Sequence, residues 1–504
     1  MNSTDSSELK GHRGLIGLSV GVVLLLFANG FHSIPLFAWI APIFVVRFVR
    51  SEPRFWTLPL VYAVLLATWL FQFAGGVPLP LIGMLAVAAT YALLNLLPYV
   101  LDRWLYRKLP VFTGTLVFPC AVVAVELAIC NLSPYGSWGA VAYSQYGNLA
   151  LMQLGSETGL YGISFIVSWT AGIVNAVEQQ GFMWGSIRKS VTAFITVVLA
   201  IYIVGEIRLD YFAPGPERIR VAALTARRPN LFAGTDAERR FWVKHTLTTE
   251  EYDFAAAAMA RSNQALLDRT THEAEAGAQL IVWNEGAATT FGKDEASLIT
   301  KAGAVARQLH VSLGMAAMSF NLGQPKLMQN KLFMLGTEGQ VLYEYWKARP
   351  VPGMEAMLTE TNGNVVVDSL TQTTRIGTYI CFDLDFPNLI RHAGQQRIDL
   401  LAVPANDWAA IDPWHSQMTA FRAIENGVNL VRSTSNGRSM AFDYQGRVLS
   451  QADDFTNADH VMIASVPTHG VPTVYATIGD LFAWLCIVIL AGLITLGILQ
   501  QRSK

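Results

Sequence analysis

A thiol, a carboxylate and an ammonium group stand at the ends of three short apolar runs in this 504-residue chain. Cys381 ends the run Ile376-Gly-Thr-Tyr-Ile-Cys381, Glu285 follows Leu280-Ile-Val-Trp-Asn284, and Lys347 follows Tyr343-Glu-Tyr-Trp346. All three lie in one long polar stretch, where Cys381 is the only cysteine; Cys120, Cys130 and Cys486 sit in hydrophobic spans. The segment from Arg375 to Ile380 is short, partly β-branched and apolar enough for a buried strand, so a thiol at its end can face a pocket and act as a nucleophile. A thiol attacks as its thiolate, and a neighbouring base is the usual means of making one. Taken singly, the commoner fates are an exposed strand-end carboxylate, a surface lysine and a small buried core cysteine.

The elements that must position these groups are legible in the same stretch. Short apolar runs at Arg220 to Leu224, Gln279 to Trp283, Val311 to Met318, Lys331 to Leu335 and Asp399 to Pro404 read as buried strands. Helical spacing of apolar residues recurs over Asp236 to Ala276, Glu295 to Leu309 and His415 to Gly427. Thr337-Glu-Gly-Gln340 reads as a hairpin turn between Phe333-Met-Leu335 and Val341-Leu-Tyr343, with its glycine free to take positive φ. Strands mixed with helices predict a layered α/β or α+β domain of roughly 250 residues.

The rest of the chain has a different solvent. Hydrophobic residues make up 52% and charged residues 14% of the whole, and several segments of spanning length carry no charge. Hydropathy predicts spans near residues 14–30, 34–49, 56–75, 80–100, 111–130, 159–177, 190–205 and 481–499, about eight in all. The N-terminal segment reads as an uncleaved anchor. Lys10 and Arg13, then Arg47, Arg50 and Arg54, then Arg103, Arg107 and Lys108, then Arg188 and Lys189, and finally Arg502 and Lys504 all fall on one side. The alternate loops, Asn29 to Pro35, Gly75 to Pro80 and Asn131 to Thr158, have neither lysine nor arginine. By the positive-inside rule both termini are cytoplasmic and the polar stretch is extracytoplasmic. The expected organisation is a membrane domain of about seven helices over 1–213, a catalytic domain over 214–472, and a C-terminal transmembrane helix with a short tail over 473–504. A net charge of −1 gives no sign of a nucleic-acid partner, and four cysteines without paired spacing argue against a disulfide framework.

The order Glu285, Lys347, Cys381 at strand ends resembles a nitrilase of the carbon-nitrogen hydrolase superfamily. Further runs make the resemblance closer: Ala142-Tyr-Ser-Gln-Tyr146, Gly159-Leu-Tyr-Gly-Ile-Ser-Phe165, Pro404-Ala-Asn-Asp-Trp408, Trp414-His-Ser-Gln-Met418, Arg422-Ala-Ile-Glu425 and Arg432-Ser-Thr-Ser-Asn-Gly437. With them the chain resembles, over nearly its whole length, the apolipoprotein N-acyltransferase family of the bacterial inner membrane. That resemblance implies an α-β-β-α sandwich for the outer, periplasmic domain. It implies Cys381 as nucleophile, Glu285 as general base, and Lys347 with the backbone N–H of Phe382 as oxyanion stabilisers. Glu355 is implied as a supporting carboxylate that orients Lys347 or the base.

The implied reaction moves a fatty acyl chain from a membrane phospholipid, through a Cys381 thioester, to the N-terminal amine of a diacylglyceryl-cysteine lipoprotein, with no metal or diffusible cofactor. Three departures from the family pattern stand out. Asn284 replaces the usual proline before the glutamate, the run from Lys347 to Glu355 is one residue longer, and Asp383 stands where glutamate is usual. They favour the alternative, a membrane-tethered amidase that uses the same three groups with water. Trp283 and Trp408 are candidates for the acyl pocket, or are simply core. Arg422 and Glu425, three apart on a helix, read as an internal ion pair. Trp138 and Tyr143, in a lysine-free loop, suit a membrane interface. His415 offers a cysteine–histidine pair as the minor alternative to Glu285.

Overall fold

The computed structural model describes residues 3–502 apart from 77, 228–230, 360, 362, 364–365, 372 and 458–459, with side chains from residue 14 onward; Lys504, one of the loop charges, lies outside the described residues. The chain divides into two compact units, one of Met1–Phe212 with Ile478–Lys504 and one of Ala213–Thr477.

The first unit is helical. Among the described residues, five helices are long and apolar enough to cross a membrane: Leu81–Leu105, Val111–Leu132, Leu160–Gln179, Trp184–Tyr211 and Leu481–Arg502. Two shorter apolar helices, Gly14–Leu26 and Thr57–Gln72, and the helix Pro35–Ser51 complete the set that coincides with the predicted spans. One buried charge pair lies inside this unit: Arg50 makes two 2.7 Å hydrogen bonds to Asp102, both side chains almost fully buried. Trp138 and Tyr143 are buried within this unit. Trp138 packs edge-on to Phe31 and beside Phe73, and the Tyr143 hydroxyl meets Ser137 Oγ at 2.5 Å, so both aromatics are interior.

The second unit contains thirteen described strands, β1 (Arg218–Leu224), β2 (Leu280–Trp283), β3 (Ala288–Phe291), β4 (Ser312–Phe320), β5 (Met328–Leu335), β6 (Val341–Trp346), β7 (Val367–Ser369), β8 (Arg375–Thr378), β9 (Leu400–Asn406), β10 (Asn429–Ser435), β11 (Arg438–Phe442), β12 (Val448–Asp453) and β13 (Val461–Pro467). One sheet runs β13-β1-β2-β4-β5-β6 with β3 beside β4; the other runs β12-β11-β10-β9-β8-β7. Each has a parallel centre, β1-β2-β4 and β8-β9-β10, and antiparallel edges. Strands buried on both faces need apolar residues at consecutive positions, which is why these central strands were legible as short apolar runs.

The sheets meet face to face, with the Ser433 hydroxyl donating to Leu224 O (3.0 Å) and Asn284 Nδ2 to Ser435 Oγ (2.7 Å). Helices Thr249–Glu275 and Glu295–Leu309 cover the first sheet, and Pro387–Gln395 and Trp414–Asn426 accompany the second, giving helix, sheet, sheet and helix layers. The expected hairpin joins β5 to β6, with Gly339 at φ +80. Where one helix was expected over Asp236 to Ala276, there are two. His245 at φ 53 ends Asp236–Lys244, and a capping box starts Thr249–Glu275: Glu251 N donates to Thr248 Oγ1, and Thr248 N to Glu251 Oε2.

Candidate active site

Three loops at the ends of strands bring the chemistry together. Glu285 follows β2, and its own N–H donates to Ala405 O of β9 at 3.3 Å, which fastens this loop to the opposite sheet. Lys347 follows β6, with its N–H held by Asn330 O at 2.9 Å. Cys381 opens the 3₁₀ turn Cys381–Asp385 three residues beyond the end of β8 and takes φ 49. A left-handed backbone costs an L-residue with a side chain about 1–2 kcal/mol, so something must hold it there. Asp383, inside the turn, accepts from Ile380 N (3.1 Å), Ala348 N (3.1 Å), Arg349 N (2.8 Å) and the Tyr345 hydroxyl (2.8 Å). One buried carboxylate thereby ties the thiol's turn to the backbone beyond Lys347. Burial pushes that carboxyl up to about 6, against the opposing pull of Lys347 and its donors.

Lys347 is the centre of charge, 1% exposed. Its Nζ lies 2.8 Å from Glu285 Oε1 and 2.9 and 2.7 Å from the two oxygens of Glu355. Burial disfavours the ammonium, but Glu285 and then Glu355 outweigh it, so the proton is held well above the ordinary lysine range. Asn330 Nδ2 adds a 2.6 Å bond to the same Glu285 oxygen and so fixes the carboxylate from a second side. The extra residue between Lys347 and Glu355 is absorbed by a turn: Gly353 takes φ +87, Glu355 N donates to Val351 O, and Val351 N donates back to Glu355 Oε2 at 2.7 Å. That turn folds Glu355 onto Lys347.

Cys381 is 3% exposed, and burial, reinforced by Glu285, pushes its thiol well up, with Lys347 opposing. The resting sulfur is therefore a thiol, and any attack by it requires its proton to move to a base. Sγ itself lies 3.9 Å from Asn406 O and 4.0 Å from Asp407 Oδ1. Sγ, Asp407 and His415 offer ligand atoms within 4.8 Å of one another, but Arg432 fills the space a metal ion would need, 2.7 Å from Asp407 Oδ1 and 2.9 Å from His415 Nδ1. A buried thiol near a carboxylate and a fixed ammonium suits covalent acyl chemistry.

Of the other sequence candidates, Phe382 follows Cys381 in the turn and packs edge-on to Phe386 at 5.4 Å. Trp408 is half-buried beside Asp407. Trp283 is not brought to the site: strand alternation turns Ile281 and Trp283 toward the helix layer, where Trp283 is fully buried in the core and its Nε1 donates to Thr270 Oγ1 at 2.9 Å. Arg422 and Glu425 form a buried ion pair at 3.0 Å. Asn284, in the usual place of proline, accepts from Ala226 N (2.8 Å) and donates to Ser435, so it ties the loop before Glu285 to both sheets. Asn330, Tyr345, Asp385, Asp407 and Arg432 were assigned no role from sequence. For Asn330, Tyr345, Asp407 and Arg432 a signal was a polar or charged side chain inside or beside a strand, a position tolerated in a buried layer only when the group is paired, and Asp407 and Arg432 also fell in the runs that resemble the family.

Residues 250–474 match the carbon-nitrogen hydrolase family model, and residues 20–173 match that of the apolipoprotein N-acyltransferase N-terminal domain. An apolipoprotein N-acyltransferase of Geobacter metallireducens is 26% identical over 452 residues, covering 84% of this chain and 81% of its own length. The chain belongs to the apolipoprotein N-acyltransferase family. A second relative of that name, from Bradyrhizobium diazoefficiens, is 24% identical over 465 residues, 86% of this chain and 80% of its own. Among solved structures, an amidase from Nesterenkonia sp. aligns with a TM-score of 0.40 at 16% identity, over 53% of this chain and 95% of its own. Family and apolar helices together make this a multi-pass membrane protein.

Proposed function

We propose that the chain is an apolipoprotein N-acyltransferase that works through a Cys381 thioester. Glu285 takes the thiol proton as Sγ attacks the ester carbonyl of a phospholipid acyl chain. Lys347, held by Glu285 and Glu355, and the N–H of Phe382 stabilise the tetrahedral oxyanion. Collapse breaks the acyl C–O bond, the leaving alkoxide takes the proton from Glu285, and a lysophospholipid departs. The α-amine of a diacylglyceryl-cysteine lipoprotein then attacks the thioester carbonyl and gives a proton to Glu285. The amide forms as the C–S bond breaks, and the sulfur leaves to recover that proton.

The observation that carries transfer over hydrolysis is the match of residues 20–173 to the acyltransferase's own helical domain, in the same chain as a buried Glu285, Lys347, Glu355 and Cys381 cluster. Mass spectrometry of the purified protein incubated with phospholipid tests it. The expected product is a hydroxylamine-labile fatty acyl adduct on Cys381 that a diacylated lipopeptide amine discharges. Discharge by water alone would make the enzyme an amidase or esterase, and no adduct with any phospholipid would overturn the assignment.

The same reading has all eight apolar helices crossing the inner membrane, both termini in the cytoplasm and the α/β unit in the periplasm. It rests on the arginines and lysines gathered on alternate loops. Glu338 and Arg107 are exposed, and all four native cysteines are buried. In a Cys381→Ala background, Glu338→Cys in spheroplasts should react with a membrane-impermeant maleimide. Arg107→Cys should react only after the membrane is opened; the reverse pattern would invert the topology.

A further inference from the structure

Behind the nucleophile lies a fully buried group of charges that the acyl-transfer steps do not use. Asp407 Oδ1 is shared by Arg432 (2.7 Å), His415 Nδ1 (2.8 Å) and the Cys381 thiol (4.0 Å). His415 Nε2 lies 3.3 Å from Asp385, the last residue of the turn that Cys381 opens. Asp407 and Asp385 against Arg432 and His415 make two negative and two positive charges, balanced without Glu285 or Lys347. His415 is not the nucleophile's partner; it touches Asp407, Asp385 and Arg432, and Asp407 is the side chain that reaches sulfur.

We propose that Asp407, clamped by Arg432 and His415, is a positioning residue that holds the Cys381 thiol in its attacking orientation and keeps it protonated until substrate engages Glu285. The inference rests on Cys381 being the nucleophile. A carboxylate against sulfur accepts the S–H and repels a thiolate, so premature ionisation in the resting site is suppressed. His415 serves this by bracing two acidic residues, one on the thiol's own turn and one beside its sulfur, so that turn and acceptor keep their spacing. Burial lowers the basicity of His415 and the neighbouring Arg432 adds to that, but Asp407 and then Asp385 outweigh both and push it up to about 9, which keeps the brace cationic at neutral pH. Asp407, for which burial is outweighed by Arg432 and His415, is held down at about 2 and stays anionic throughout.

Asp407→Asn removes the negative charge and leaves Arg432 and His415 facing the sulfur, so Cys381 should ionise more readily. The expected result is a split. Iodoacetamide should alkylate Cys381 faster at neutral pH, by about tenfold for each unit the thiol falls, and the alkylation profile should move to lower pH. Acyl-enzyme formation should meanwhile fall in kcat by about 100-fold with KM little changed, the loss typical of a reacting atom misplaced by about 1 Å. His415→Gln, which keeps a hydrogen bond to Asp407 but loses the charge, should show a smaller shift in the same direction, and it decides the matter if Asp407→Asn does not fold. Alkylation is read on Cys381 without any acyl substrate, so it remains informative if the acyl-transfer reading fails. If both variants lose activity in proportion to lost thermal stability, with an unchanged alkylation profile, the group is structural only and the proposal is wrong.

Discussion

Cys381→Ala protein is expected to form no acyl-enzyme and to transfer no acyl chain above background, while melting within about 1 kcal/mol of the parent. The loss is complete because the proposed path is covalent: without sulfur neither the thioester nor the amide that consumes it can form. The fold survives for local reasons. Alanine fits the space of the thiol, and the turn that holds position 381 at φ 49 is built by the Asp383 bonds to Ile380, Ala348, Arg349 and Tyr345, none of which uses the cysteine side chain. Intact-mass spectrometry after phospholipid loading, beside a thermal melt, checks both halves. Acyl adduct of undiminished yield in Cys381→Ala would move the nucleophile elsewhere.

Lys347→Met should damage both chemistry and stability. Loss of one oxyanion donor typically costs about 2.7–4 kcal/mol, or about 10²–10³ in kcat, and here the same ammonium also holds Glu285 in place. Removing it leaves two carboxylates, both now 2.9 Å or less from its Nζ, facing each other in a buried site. Breaking a buried ion pair in this way typically costs about 3–5 kcal/mol. The pH dependence separates this from a simple packing defect. In the parent, the lysine's folded-state affinity for its proton is raised, so its contribution is complete below the unfolded value of 10.5 and is lost only as pH climbs through the folded one. At neutral pH the parent therefore has nothing to gain from acid through this group. The variant does: its crowded carboxylates bind a proton more tightly folded than unfolded, so its stability should recover as pH falls from 7 toward 5. A melting deficit that is the same at both pH values would show that the lysine is not neutralising the pair.

The legible part of the site was the set of residues that end central strands. Glu285 and Cys381 follow runs that a doubly covered sheet forces to be apolar, and the chain has one cysteine in its polar half. Asp407 and Arg432 sat in runs whose resemblance to the family was visible, yet they carried no role, because a charge in a strand shows neither its partner nor its distance. Arg422 and Glu425 were legible as a pair since helical spacing alone brings residues three apart together. Trp283 was open between pocket and core from sequence, and the two-residue period of the strand turned its ring into the helix layer, where it is core.

Composition and apolar runs were by themselves enough for a membrane protein with one large α/β unit and for singling out Cys381 as the candidate nucleophile, since solvent exclusion and strand burial act on local stretches of chain. The tertiary structure decided what surrounds that nucleophile. Glu355 reaches Lys347 through a glycine turn, Asp383 joins two loops 35 residues apart, and Asp407 meets a thiol 26 residues upstream. These contacts exist because two sheets, each ordered by crossovers, lay the ends of β2, β6, β8 and β9 side by side, and no local pattern encodes which strand ends will meet.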